Sequence, residues 1–291
     1  MSEYVKRRID VTITLPDVAG PYDGTSSNTA TFTGLRVSAH IENAGGPIGP
    51  AANIRIWGLT ESVLNKLSTI GKTLVEANQA KIQLNAGTDA ATPTAYIGTI
   101  SAAWADYNGA PDVPLVVQAI AGLLEALRPI TPSSYPSPVP AATIMQDLAT
   151  QMGLPFENYG VTTILPAWYS PGAPGQQMKK VAEAARFEWT IDGGGVAIWP
   201  RDGARGGLVP LISPETGLID YPSYVQAGVA LRMLYNPNIA VGKPIQVKSS
   251  VKPACGLWKP FRIDHDIESE IPDGRWETNV IAYAWQNSEA P

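Results

Sequence analysis

From Gly217 to Trp285 the chain keeps changing direction before any regular element can lengthen. Val229, Leu231 and Met233 alternate with Ala230, Arg232 and Leu234, and Asn236-Pro237-Asn238 then ends the run. Ile245 and Val247 alternate with Gln246 and Lys248, while Phe261 to Ile271 and Arg275 to Tyr283 flank Pro272-Asp273-Gly274. Alternation marks a strand with one buried face, and a Pro-Asp-Gly break between two such runs marks a hairpin. Strands at this spacing, with no helical period between them, restrict the segment to a small antiparallel barrel or sandwich.

The rest of the chain obeys the same constraint at its N-terminal end. Ile9, Val11, Ile13 and Leu15 alternate with polar residues, as do Leu35, Val37, Ala39 and Ile41 after a polar loop from Pro16 to Asn28. Asn53 to Leu59 is a strand leading into Thr60, an N-cap type. Val63, Leu64 and Leu67 line one face of a short helix that Gly71 closes. Lys81 to Asn85, Tyr96 to Tyr107 and Leu115 to Ile120 read as further strands. For Leu123 to Arg128, propensity allows a helix and the surrounding layout an extended path.

Five prolines between Pro129 and Pro140 exclude regular structure there and mark a domain boundary. Beyond it the period changes. Ile144, Leu148 and Met152 predict a helix over Ala141 to Met152 with Gly153 as its stop. Val161 to Leu165 reads as a strand, and Gln176 to Arg186 as a helix with Met178, Val181, Ala182 and Ala185 inward. Phe187 to Ile191 and Val196 to Ile198 form a hairpin about three glycines. The organisation is therefore a β domain over 1–131, an α/β insert over 132–205 and a second β domain over 206–291.

The order Asn236-Pro237, short apolar strand, Gly242-Lys243, Phe261-Arg262-Ile263-Asp264-His265, acidic hairpin, Gly274-Arg275-Trp276-Glu277-Thr278 resembles the last domain of phage baseplate hub proteins. The strand entering Leu59-Thr60-Glu61-Ser62-Val63-Leu64-Asn65-Lys66-Leu67 is similar to a segment of their first barrel. The resemblance implies a mainly β fold, two small tube-like β-barrel domains carrying a helix-strand-helix-hairpin insert. It implies a structural subunit of a contractile tail, assembled in the host cytoplasm into the virion baseplate. As a homotrimer it would join the tail tube, or a tube-initiator protein, above to a spike below. Peripheral baseplate proteins would surround it and DNA would pass through it.

Composition bears on the function classes. Of 291 residues only 16% are charged, against 44% apolar, so much of the surface is suited to being covered. A net charge of −5 argues against a nucleic-acid binder, which needs basic residues to neutralise phosphates. The first residues lack the apolar core of a signal peptide, and Val113 to Leu127 is too short and too polar to span a bilayer. The single cysteine, Cys255, excludes an internal disulfide.

Catalytic patterns are absent from the sequence: no Gly-x-Ser-x-Gly, His-Glu-x-x-His or Cys-x-x-Cys occurs. His40 and His265 are the only histidines, and His265 lies on a strand whose neighbours Asp264 and Asp266 point to the opposite face, an arrangement unsuited to a shared metal ion. No catalytic, cofactor or metal residue is expected. The alternatives are a tail-associated cell-wall hydrolase, needing two carboxylates that meet in space, or a glycan-binding tail module using some of the eight tryptophans.

Two candidate sites remain. Asp264, Asp266, Glu268 and Glu270 recur at every second position, so a strand sets all four on one face. They are either the solvated face of a sheet or, with the resemblance, the lining of a DNA conduit, which like charge keeps from sticking. Trp168 and Tyr169, in a proline-rich loop, are the candidate contact with a neighbouring tail protein.

Overall fold

The computed structural model describes residues 5–16, 19–22, 24–45, 49–70, 80–226 and 228–285. It is mainly β, with four short α-helices, none of them long and apolar enough to cross a membrane. The chain divides into two compact units.

The first unit comprises Met1–Glu42, Pro50–Ala121 and the hairpin residues Asp264–Glu277. Its strands are β1 (Arg7–Thr14), β2 (Thr29–Phe32), β3 (Val37–Asn43), β4 (Ala51–Ile56), β5 (Lys81–Thr88), β6 (Thr94–Ala105) and β7 (Leu115–Ile120). They pair in the order β2-β1-β5-β6-β7-β4-β3, each neighbouring pair antiparallel. Alternation places Ile9, Val11, Ile13, Val37, Ile54, Ile82 and Leu84 on one face, each at most 1% exposed. Each such side chain contributes about 1.5–3 kcal/mol on burial. Strand β6 serves two neighbours, β5 through its first half and β7 through its second, with a register shift between Ile100 and Ala102. A bulge there bends the strand and curves the sheet.

No ladder closes a barrel among the described strands. At the start of β1, side chains meet the 264–277 hairpin. Arg7 Nη1 donates to the Gly274 carbonyl at 2.9 Å and lies 5.7 Å from the Trp276 ring centroid, and Lys6 pairs with Glu270 at 2.7 Å.

Between β4 and β5 the expected helix is present as α1 (Glu61–Leu67), with Leu64 and Leu67 buried. Thr60 has the extended N-cap backbone but makes no side-chain capping bond; Gly71 lies outside the described residues.

The second unit comprises Asn43–Gly49, Gly122–Ile263 and Thr278–Pro291. It opens with α2 (Leu123–Leu127), so 123–127 is helical. Then come β8 (Ser133–Tyr135), β9 (Val139–Pro140), α3 (Ala141–Met152), β10 (Phe156–Asn158), β11 (Ile164–Leu165), β12 (Trp168–Ser170), α4 (Pro174–Ala185), β13 (Phe187–Asp192) and β14 (Gly195–Pro200). Helix α3 has the predicted bounds and apolar stripe, and Gly153 ends it at φ 71°, a conformation that favours glycine. Pro174 occupies the first turn of α4, where its missing N–H costs nothing.

The proline-rich segment is not devoid of regular structure, contrary to the sequence expectation. Ser133–Tyr135 pairs with Trp168–Ser170, and Val139–Pro140 with Ile164–Leu165. The prolines flank these short strands or end them, so no inner ladder N–H is lost. Gln177, fully buried on α4, fixes the segment: its Oε1 accepts from Ser133 N and Oγ at 3.2 and 2.6 Å, and its Nε2 donates to the Gly172 carbonyl at 2.8 Å.

Strand β14 is buried on both faces. Val196 and Ile198 join the core under α3 and α4, whereas Ala197 and Trp199 join a second core with Val229, Leu231, Met233 and Ile245. Its near-continuous apolar reading, Val-Ala-Ile-Trp, follows from that position. The second core belongs to β15 (Leu211–Ile212), β16 (Ser223–Val225), β17 (Gly228–Leu234), β18 (Ile245–Val247), β19 (Gly256–Ser269) and β20 (Trp276–Ala284). Here β16-β17-β20-β19 are successive neighbours, β18 pairs with β19, and β15 runs parallel to β18.

Candidate functional site

A catalytic or metal centre needs several titratable groups converging on one point. Among the described residues no cluster of His, Cys, Asp and Glu could hold a metal ion. Cys255 is exposed, and its Sγ donates to the Ser249 carbonyl at 3.2 Å. His265 lies on β19 between Ile263 and Ile267, and burial pushes its pKa down to about 4, with Asp266 pulling the other way.

The four carboxylates lie along the distal end of β19 and into its turn. Asp266, Glu268 and Glu270 engage partners of the first unit that lie far away in sequence. Asp266 Oδ1 lies 2.9 Å from His40 Nδ1 on β3. Glu268 Oε1 accepts from Ser38 Oγ at 3.0 Å, and its Oε2 accepts from the Arg275 N–H across the turn at 2.8 Å. Glu270 lies past the end of the strand, with φ 54°, and meets Lys6. Of the residues expected on a common face, Asp264, Asp266 and Glu268 are half-buried, Asp266 and Glu268 face β3 side chains, and Glu270 lies at the tip. Their charge is partly compensated, and one consequence is mechanical: these bonds hold the hairpin to β3 and to the N-terminal segment.

Trp168 and Tyr169 lie on β12 rather than in a loop. Trp168 is half-buried against the insert core, and its Nε1 is enclosed without a hydrogen-bond partner. Tyr169 points the other way and is 67% exposed, so of the two only Tyr169 is freely presented.

A polar cluster that the sequence expectations did not include surrounds Lys259 in the second unit. This side chain is fully buried and donates to the carbonyls of Arg201 and Gly203 at 3.0 and 2.8 Å. Its Nζ is 4.8 Å from the ring centroids of both Tyr283 and Trp285, and 3.6 Å from Glu188. Glu188 also accepts from Trp199 Nε1 at 2.6 Å, and nearby Arg205 forks onto Asp192 at 2.6 and 3.1 Å. Burial lowers the Lys259 pKa and Glu188 raises it. A cleft of about 370 Å³ opens beside the cluster, with Trp199, Arg201, Phe261 and Tyr283 in its wall. Lys259 spends its donors on backbone carbonyls and lies over two rings. Its chemistry is that of a staple joining the Arg201–Gly207 return segment to β13, β19 and β20.

The family model described as Baseplate hub gp41 matches residues 8–270, nearly the whole chain. The chain belongs to this family. As a baseplate hub family member it is a bacteriophage tail protein, and its fold agrees. A tail protein from Neisseria meningitidis superposes with a TM-score of 0.61 at 8% identity, over 96% of this chain and 98% of that one. A 43 kDa tail protein of prophage MuSo2 from Shewanella oneidensis gives 0.59 at 8% identity, over 98% and 100%. A chain of a lidless PdpA–VgrG complex gives 0.50 at 8% identity, over 97% of the hub chain and 67% of the other. No curated protein matches by sequence. At such identities the likeness is one of fold, and the family match supplies the assignment.

Proposed function

We propose that this chain is the structural hub subunit of a tail baseplate. Three copies form a ring that joins the tail tube above to the central spike below and surrounds the path of the DNA. The family match over residues 8–270 carries this reading. The fold shared with prophage tail proteins supports it, and the likeness to a VgrG-containing complex supports a spike-side partner.

The work is mechanical. Two β-rich portions in each of three subunits present repeated surfaces to a tube of higher symmetry, while the ring keeps three-fold symmetry towards the spike. The 132–205 insert lies at the ring's periphery, where Tyr169 contacts surrounding baseplate proteins. The row Asp264, Asp266, Glu268 and Glu270 faces or rims the DNA path, where carboxylates repel phosphate and the His40 and Lys6 partners moderate their field.

The reading is tested by assembling tails without this chain. Tubes should then lack an attached spike, and supplying the purified chain should restore attachment. Spikes joined to tubes in its absence would overturn the proposal.

A further inference from the structure

Fourteen large apolar side chains are exposed among the described residues, and eight of them fall between Leu208 and Leu234 of the second unit. The ladder brings these together. Leu234 N donates to the Gly217 carbonyl, Ile219 N donates to the Arg232 carbonyl, and Ser223 pairs with Ala230. Thr216 Oγ1 donates to the Leu211 carbonyl at 2.8 Å, which ties β15 to the same strip. Leu208 is 94% exposed, Tyr221 76% and Tyr224 59%. Strand β16 ends the sheet order, so among the described residues one edge of its backbone has no ladder partner.

At roughly 200 Å² for a fully exposed large apolar side chain, the eight expose on the order of 900 Å². That exceeds the roughly 300–600 Å² of the largest apolar patch on an ordinary monomer, and it matches the roughly 800 Å² that each partner gives to a stable interface. The strip is also nearly free of unspent charge. Between Leu208 and Val225 only Glu215 and Asp220 are acidic and nothing is basic, and Asp220 is neutralised by Arg232 at 3.1 Å. Such a surface demands no oppositely charged partner, and low charge with high apolar content marks a permanent contact between copies rather than a transient one. An open strand edge flanked by apolar side chains is a hazard unless something covers it.

We propose that the strip from Leu208 to Val225, with Leu234, is the surface by which one copy of this chain contacts the next. The inference rests on the ring reading and adds to it the location of the seam. In a three-fold ring the contact is heterologous, so the strip meets a different surface of its neighbour.

Two measurements test it. In the first, Leu208→Glu, Tyr221→Glu and Tyr224→Glu are combined and assembly is followed by sedimentation velocity. Buried anchors of this kind cost at least about thirty-fold each in affinity, so the triple variant should sediment as a monomer with an unchanged circular dichroism spectrum. Tyr107→Glu, equally exposed but outside the strip, should assemble like the wild type. In the second, a benzophenone amino acid at position 208 or 221 of the otherwise native chain should cross-link to a second copy, a result independent of how the triple variant folds. A wild-type trimer that the triple variant leaves intact, with no self-cross-link, overturns the seam and leaves the ring reading standing. Cross-links only to another tail protein likewise overturn it. A wild type that stays monomeric under all conditions overturns the ring reading and the seam together.

Discussion

Replacing Lys259 with alanine is expected to destabilise the second unit by about 2–5 kcal/mol, the range for truncating a long, fully buried side chain. Three losses act together. The carbonyls of Arg201 and Gly203 lose their donor, Glu188 loses its cation, and the space between Tyr283 and Trp285 empties. Lys259→Met separates these effects. It restores most of the volume without the donors, so it should recover part of the loss and leave a deficit of about 1–3 kcal/mol for the unsatisfied groups. Urea unfolding followed by tryptophan fluorescence reads both, since the second unit holds Trp199, Trp258 and Trp285. A cost below about 1 kcal/mol for the alanine variant would mean that the staple carries little of the unit's stability.

The first unit should lose stability in mild acid. Folding holds the His265 pKa at about 4, below the ordinary 6.5, because burial disfavours the charged ring. Between those values the unfolded chain binds a proton that the folded chain refuses, so stability rises with pH. It is complete above pH 6.5 and falls as the pH drops towards 4. The contribution is at most about 3 kcal/mol over the whole interval, and about 2 kcal/mol between pH 6.5 and 5. Denaturant midpoints measured from pH 7 to 5 should therefore decline for the wild type and decline less for His265→Asn. Parallel slopes for the two proteins would show that His265 takes up its proton equally in both states.

What the sequence showed and what it concealed divide along contact range. Helix α3 was legible because Ile144, Leu148 and Met152 stack on one face and Gly153 stops it, all within a short stretch. Strand β7 and the β13–β14 hairpin were legible for the same reason. Strand β2 was not: Thr-Ala-Thr-Phe is only four residues long and buries none of them fully, and the strand is held by ladder bonds to β1 and by Thr12–Thr31 and Thr14–Thr29 hydroxyl pairs. The short strands β8 and β12 were hidden because each exists only through the other, with Gln177 pinning one of them.

The candidate site shows the same division. The period of Asp264, Asp266 and Glu268 could be read directly, but the partners Ser38 and His40 lie more than two hundred residues earlier. Trp168 looked like a surface residue from its proline-rich surroundings, and packing against the insert core buries half of it. Lys259 sits in Trp-Lys-Pro-Phe, where an apolar run on both faces is the one sequence sign that the lysine is enclosed. The carbonyls that accept from it, more than fifty residues away, leave no mark on side-chain identity.

The claim on which the account turns is the three-fold ring. Native mass spectrometry of the purified chain, alone and with the proposed spike partner, measures it directly. The expected result is a complex holding three copies of the 30.9 kDa chain, present at the latest when the spike is bound. One or two copies per spike-bound complex would contradict it.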